Sequence, residues 1–512
     1  MLREYTQGLV HPARSDTQVL IRGCAMLAPG EPGNLRYGQD ILLLNERIAA
    51  VGDSGTVEYN PQRLTSVIDG RDRIAVPGLI NAHTHSLENL LKAISPSLPL
   101  ELWLIPLFGS ADGWSPDFVY LSTMLGAVEM LKTGTTAVLD HLWTNAGVAR
   151  DYLDAAMRAY RDVGLRAAVA PSIEDQDLVL EIGHDYGITF PEHPFTDRFE
   201  AWSSIEEQWE DLEQWFSDWH GAANGRLRCF AGPSGIHWCS PHLLEDCLDL
   251  ASRYHSGLHL HAVETQLQAR VIHKLLGKGG IAYLHEMGIL RPGTSLAHAI
   301  WLDPGDLELL ARTHTTVVHN PVSNLRLGSG RFPLAEALER DVNVALGSDG
   351  SASNDNQNMY GVLKLAGLMH NLPGEDYRRW PQPQALLNMA TQGGAAALGQ
   401  GHELGEIAPG YLADLVLLNL ENASFLPLRD PYLHLVYCEH GTSVDTVIVH
   451  GQAVVEHGIV TVIDEQSLRQ EIRKHCGTWW QGASTTSADR DSTHAVLTSL
   501  DRLRQLVLKE QA

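Results

Sequence analysis

Between residue 77 and about residue 400 the chain alternates short apolar runs with helical patterns, often enough to close a circle. The strand-like runs are Ile74 to Ile80, Thr135 to Leu139, Leu165 to Ala170, Arg228 to Ala231, Leu258 to His261, Ser295 to His298, Thr315 to His319 and Val342 to Gly347. Helical stretches lie between them, such as Leu121 to Leu131, Tyr152 to Arg161 and Ala335 to Arg340. Strands that alternate with helices pair in parallel. Eight such units in about 330 residues predict an α/β fold, a closed (β/α)8 barrel rather than an open sheet.

The two ends of the chain read differently. Val19-Leu20-Ile21, Asp40 to Leu44 and Ile48 to Val51 are short strands separated by turns, and strands of the same character return at Asp414 to Leu418 and Thr446 to Val449. We therefore expect a small composite β-sandwich domain built from residues 1–76 and 404–465, flanking a catalytic barrel over 77–403. A helical extension over 466–512 follows. Within it a Ser/Thr/Asp-rich tract at 483–494, read as a linker, precedes a helical pattern with apolar Val496, Leu497, Leu500, Leu503 and Leu506. Within the barrel, Pro191 to Gly221 carries Phe195, Phe199, Trp202, Trp209 and Trp215 and reads as a helical insertion over the mouth, either structural cover or substrate lid.

Composition excludes several partners. With 37 Lys+Arg against 62 Asp+Glu, the net charge of −25 argues against nucleic acid and against an anionic membrane surface. The longest apolar stretches, such as Leu415 to Leu418, fall far short of a bilayer span. The start lacks the basic-then-apolar build of a signal peptide. Six cysteines without a Cys-x-x-Cys spacing indicate neither a thiolate metal site nor a redox motif, and a reducing, cytoplasmic setting is expected. Histidine is the surplus residue, with 25 copies.

The histidines gather at predicted strand ends. His83 and His85 are two apart on a strand, so their imidazoles point to one side. His261, His298 and Asp349 stand at three further strand ends, which is where (β/α)8 enzymes build their active sites. Imidazoles with a carboxylate and no thiolate suit zinc or ferrous iron with an open coordination position.

Pro77-Gly-Leu-Ile-Asn-Ala-His-Thr-His85, His261-Ala-Val-Glu264, Leu296-Ala-His298 and Ser348-Asp-Gly350 resemble the successive signatures of the amidohydrolase superfamily. The likeness is closest to its aminohydrolase branch, which includes the adenosylhomocysteine, guanine and 8-oxoguanine deaminases and the triazine hydrolases. Leu404 to Leu415 is similar to the return strand of that family's small β domain, so the resemblance covers nearly the whole chain. It implies His83, His85, His261 and Asp349 as ligands of one divalent metal ion, Zn2+ first and Fe2+ as the other fit. Dinuclear members bridge two metals with a carboxylated lysine on the fourth strand, and this chain has no lysine between Lys132 and Lys274.

The resemblance also implies a chemistry. A metal-activated water attacks a ring carbon bearing an amino group. Glu264 resembles the family's proton-transfer glutamate, Asp349 relays a proton toward the departing ammonia, and His298 stabilises the attacking oxygen. The expected activity is a hydrolase acting on C–N bonds other than peptide bonds, a deaminase of a purine, pyrimidine or triazine type ring. Displacement of chloride or alkylamine from a triazine-like ring, or cyclic-amide hydrolysis, is the alternative. A small heterocyclic substrate and a homo-oligomer are the expected partners.

Substrate contacts are expected at Glu88, Trp103, His141 and Asn324. Glu88 stands where purine and triazine members often carry glutamine, and it reads either as a contact to a cationic amidine-like edge or as a salt-bridge residue. Asp140-His141 and Ser351 to Asp355 look like 8-oxoguanine deaminase and hydroxytriazine hydrolases, and His319-Asn320-Pro321-Val322-Ser323-Asn324-Leu325 resembles the branch's seventh-strand loop. At Gly232-Pro233-Ser234 the adenosylhomocysteine deaminases have a histidine where this chain has Ser234, with His237 three residues later. That departure speaks against a nucleoside-type substrate.

Overall fold

The computed structural model describes residues 17–28, 35–95, 97–109, 114–144, 147–201, 203–482 and 487–510. Its first five strands are β1 (Gln18–Leu27), β2 (Leu35–Leu44), β3 (Arg47–Asp53), β4 (Leu64–Asp69) and β5 (Arg73–Pro77). The barrel strands are β6 (Leu79–Thr84), β7 (Thr135–Leu142), β8 (Arg166–Ile173), β9 (Leu227–Cys229), β10 (Gly232–Pro233), β11 (Leu258–Ala262), β12 (Thr294–His298), β13 (Thr316–His319) and β14 (Val344–Leu346). Four strands follow: β15 (Leu415–Asn419), β16 (Val444–Val449), β17 (Gln452–Glu456) and β18 (Ile459–Val460).

Strands β6, β7 and β8 pair in parallel, and β9 and β10 both pair with β8 as two pieces of one strand position. Single bridges from Ala231 to Leu258 and from Gly235 to His261 lead to β11, from which β12, β13 and β14 continue in parallel. The ring closes where the Asp349 amide donates to the His83 carbonyl at 2.9 Å. Every residue of β6 and β7 is buried, as expected of parallel strands covered on both faces. Eight strand positions match the eight predicted.

One boundary differs. The apolar run Ile74 to Ile80 is not one barrel strand: β5 belongs to the other sheet, and the barrel begins at Leu79. The break is Pro77-Gly78. A side chain at Gly78 would meet Thr136 Oγ1 at 2.0 Å, so only glycine lets the chain cross from one sheet to the other this close to β7.

The second sheet is drawn from both chain ends. Nine strands run in the order β18-β17-β16-β15-β5-β1-β2-β3, with β4 also on β1. The junction is the antiparallel pair of β5 and β15, with Val76 opposite Val416. Its core gathers Ile21, Ile41, Leu43, Leu415, Leu417 and Ile448. A buried ion pair ties this sheet to the barrel: Arg166 donates through Nε and Nη2 to Asp414 at 2.8 and 2.9 Å.

Two further expectations are corrected. The aromatic segment is not an insertion across the mouth. Its helix Ile205–Trp219 lies in the barrel's outer layer against the helix Arg150–Val163, with Trp219 Nε1 donating to Asp154 at 2.7 Å. Leu212, Trp215 and Phe216 form its buried stripe, spaced as one helical face requires. Only Phe195 and Arg198 of this region line the cavity, and Trp202 lies outside the described residues. The tract read as a linker is helical from Ser487, inside the helix Ser487–Lys509, and 483–486 lie outside the described residues. Hydroxyl and acidic residues suit a helix's first turn as well as they suit a loop.

That last helix buries Val496, Leu500, Leu503 and Val507 against Leu102 and Ile105 of the helix Leu100–Gly109 and against Leu267 and Val271. The Leu100–Gly109 helix turns Leu100, Trp103, Leu104, Leu107 and Phe108 to the cavity. The C-terminal extension thus supports the cavity wall from behind. Among the described residues, no helix is long and apolar enough to cross a membrane.

Candidate metal centre and active site

The C-terminal ends of the barrel strands surround one cleft of about 800 Å³, counting the solvent at its mouth. Its floor holds His85, Glu88, His261, Glu264, His298 and Asp349. Leu100, Trp103, Leu104, Leu107, Phe108, Trp143, Phe195 and Leu327 make an apolar wall, and Thr144, Ser172, Glu174, Arg198, Ser234, Trp238 and Ser353 complete it.

The donor set fits a metal ion. Asp349 Oδ1 lies 3.3 Å from His83 Nε2 and 3.3 Å from His85 Nε2. The Nδ1 of His85 contacts the His141 carbonyl and that of His261 the Ser234 carbonyl, both at 2.6 Å. A carbonyl only accepts, so both rings carry a proton on Nδ1, which leaves Nε2 as the nitrogen that ligates when the ring is neutral. His83 Nε2 is buried and has no hydrogen-bond partner among the described residues. Burial lowers His83 to about 4 and His261 well below the usual imidazole value, so both rings are neutral, as metal ligation requires. Burial alone would raise Asp349, but the imidazoles, His83 foremost, hold its carboxyl well below the ordinary range.

His259 was not anticipated. Its Nε2 lies 2.8 Å from His83 Nδ1 and its Nδ1 lies 2.7 Å from Ser295 Oγ, so it supports His83 from behind. The signal was present: His259-Leu260-His261 repeats the period-two spacing of His83 and His85.

The proton-handling groups meet at His298. Its Nδ1 donates to Asn324 Oδ1 at 2.8 Å, which turns Nε2 toward Glu264 Oε2 and Asp349 Oδ2, each 3.7 Å away. Burial raises Glu264 to about 7, against the hydrogen bond it accepts from Ser329 Oγ at 2.9 Å. His298 and Asp349 hold left-handed backbone conformations at φ 70° and 65°, the local strain that strand ends at functional sites store.

The expected substrate contacts separate into two groups. Glu88 and Trp103 line the cavity. Glu88 accepts from Trp143 Nε1 and from the Ala352 amide, both at 3.1 Å, and burial raises it to about 7. It passes so close to Gly350 that a side chain there would meet Glu88 Oε2 at 1.9 Å. His141 and Asn324 do not line the cavity. The His141 ring, near the end of β7, stacks on His261 with centroids 4.8 Å apart, and Asn324, in the helix Pro321–Arg326, bonds His298. Ser234 lines the cavity with its Oγ 2.6 Å from Ser172 Oγ, and His237 does not take the place of the missing histidine.

With this geometry in hand, the chain was compared with known proteins. The model of the amidohydrolase family matches residues 74–454. The 5'-deoxyadenosine deaminase of Methanothermobacter thermautotrophicus is 33% identical over 449 residues, 88% of this chain and 95% of that protein. The 5-methylthioadenosine/S-adenosylhomocysteine deaminase of Pelotomaculum thermopropionicum is 32% identical over 459 residues, 89% of this chain and 97% of that protein. Among solved structures, an adenosine deaminase from Xanthomonas campestris with bound zinc superposes with a TM-score of 0.79 at 25% identity, covering 91% of this chain and 99% of that one. The atrazine chlorohydrolase of Arthrobacter aurescens complexed with zinc gives 0.79 at 27%, covering 89% and 99%. The motifs at the strand ends, the barrel with its two-ended sheet domain and a match across most of the chain agree: this protein belongs to the amidohydrolase family.

Proposed function

We propose that the protein is a mononuclear metal-dependent aminohydrolase that releases ammonia from an amino-substituted nitrogen heterocycle. His83, His85, His261 and Asp349 would hold the metal, zinc first and ferrous iron as the other fit to these donors. Such a metal supplies a water acidic enough to act as a nucleophile at neutral pH.

The chain's own groups do the rest. Glu264, kept protonated near neutrality by burial, gives its proton to the ring nitrogen beside the carbon under attack. Without that proton, charge would accumulate on the ring as the carbon becomes tetrahedral. Asp349 takes one proton of the attacking water and passes it to the amino group, which leaves as ammonia, and the second water proton returns to Glu264 as the carbonyl forms. His298, fixed by Asn324, holds its Nε2 between the two carboxylates and steadies the oxygen as it adds. Glu88 offers its carboxylate to a donor edge of the ring, and Trp103 gives the ring an apolar wall.

The observation that carries the reading is the convergence of Glu264 and Asp349 on His298 Nε2, each at 3.7 Å, on the floor of the cleft. The relatives named as deaminases of adenosine-type compounds support it, whereas Ser234 argues for a ring substrate other than the adenosylhomocysteine type. A second reading rests on the likeness to the solved atrazine chlorohydrolase: the same water would displace chloride or alkylamine from a triazine-like ring. A proton donor at Glu264 favours nitrogen leaving groups, which depart only once protonated. We further propose a homo-oligomer acting on a small molecule in the cytoplasm, without nucleic-acid or membrane partners, in keeping with the net charge of −25. Ammonia assays on metal-loaded protein across aminopurines, aminopyrimidines and aminotriazines test the reading; dechlorination or alkylamine release without ammonia would replace it with the second.

A further inference from the structure

We propose that Glu174 makes one wall of the cavity an acceptor subsite for a cationic or hydrogen-bond-donating substituent of the ring substrate, and that the cavity refuses anionic substituents. The inference rests on the aminohydrolase reading for the ring's own site and on separate residues for the subsite.

Arg198 supplies the one guanidinium or ammonium among the described residues lining the cavity. Three of its five N–H groups are already held by protein acceptors. Its Nε donates to Glu174 Oε1 at 2.7 Å, its Nη2 to Asp177 Oδ2 at 2.9 Å and its Nη1 to the Phe195 carbonyl at 2.7 Å. The guanidinium also lies 4.9 Å from the Phe195 ring centroid, packed rather than free to swing. One guanidinium faces two carboxyl groups, so this buried group holds one acid more than it holds bases.

Glu174 holds the surplus. It is 92% buried, from a relative exposure of 8%, yet it lines the cavity, and its Oε2 has no donor among the described residues. Beside it, Ser172 from the same strand end pairs with Ser234 at 2.6 Å; one proton lies between the two oxygens, so the other hydroxyl proton is free for a ligand. An ammonium placed here would bring the group to two cations against two carboxylates. A carboxylate or phosphate would be buried beside Glu174, with the cavity's one guanidinium already paired to two carboxyl groups, which is unfavourable.

The test uses zinc-loaded, full-length protein at pH 7 and three matched probes: 9-propyladenine, 9-(3-aminopropyl)adenine and 3-(adenin-9-yl)propanoate. Calorimetric titration is expected to show the aminopropyl probe binding about tenfold or more tighter than the propyl probe, and the propanoate weakest. Glu174→Gln, with metal content unchanged, should level the amino and propyl probes. The proposal is overturned if the propanoate binds as well as the propyl probe, if the amino preference survives Glu174→Gln, or if none of the three binds. Should the variant not fold, the wild-type order decides alone. Ammonia release is read separately: the expected order with no ammonia from any probe sustains the subsite and counts against deamination of adenine rings.

Discussion

Asn324 Oδ1 accepts the Nδ1 proton of His298 at 2.8 Å, and this bond turns the opposite edge of the imidazole toward the two carboxyl groups of the site. Asn324→Leu keeps the side chain's volume and removes the acceptor. Turnover should fall by about 10²-fold, the low end of what a positioned acid–base group contributes. Metal content should stay the same, because neither residue is a proposed ligand. Steady-state rates beside metal analysis check both halves, and an unchanged rate would detach His298 from the chemistry.

Glu264→Gln should retain metal and lose about 10²- to 10⁴-fold in deamination. The pH profile gives the sharper test. Burial raises Glu264 to about 7, and a proton donor works only while protonated. Activity should therefore be full below that value and decline as pH rises through it. The variant should lack this alkaline limb, and a limb that persists would assign it to another group.

His261→Ala and Asp349→Asn should each abolish turnover and reduce bound metal. Chelation should also lower the thermal transition of the wild-type protein, since a ligand that binds only the folded state stabilises it by mass action. Equal transitions with and without chelator would contradict a metal held by buried groups.

Arg166→Met breaks the buried pair with Asp414 and leaves a carboxylate without its partner between the two sheets. The expected loss is about 3–5 kcal/mol in denaturant unfolding. The double variant Arg166→Met with Asp414→Leu should recover much of it, and a single-variant loss below about 1 kcal/mol would show the junction to be solvated.

What was legible in the sequence followed from periodicity and from strand ends. His83 and His85 are brought together by the two-residue repeat of one strand, and His261, His298 and Asp349 by closure of the barrel. What was not legible depends on packing. Ile74 to Ile80 is apolar throughout, and nothing in its pattern says that Pro77-Gly78 divides it between two sheets. His141 stands at a strand end like the ligands, and Asn324 lies in the helix Pro321–Arg326 that follows one, but which way such residues face is set by their neighbours. Glu174 and Arg198 are 24 residues apart, and only the folded chain reveals that they pair at the cavity wall. His259 carried a readable spacing that was read only for its partner.

The most direct test is ammonia release by zinc- or iron-loaded protein, with bound metal verified, across aminopurines, aminopyrimidines, aminotriazines and rings with a guanidine-like edge. The account predicts ammonia from at least one class, and its loss in Glu264→Gln with the metal still in place. Silence across the panel from fully loaded protein would contradict it.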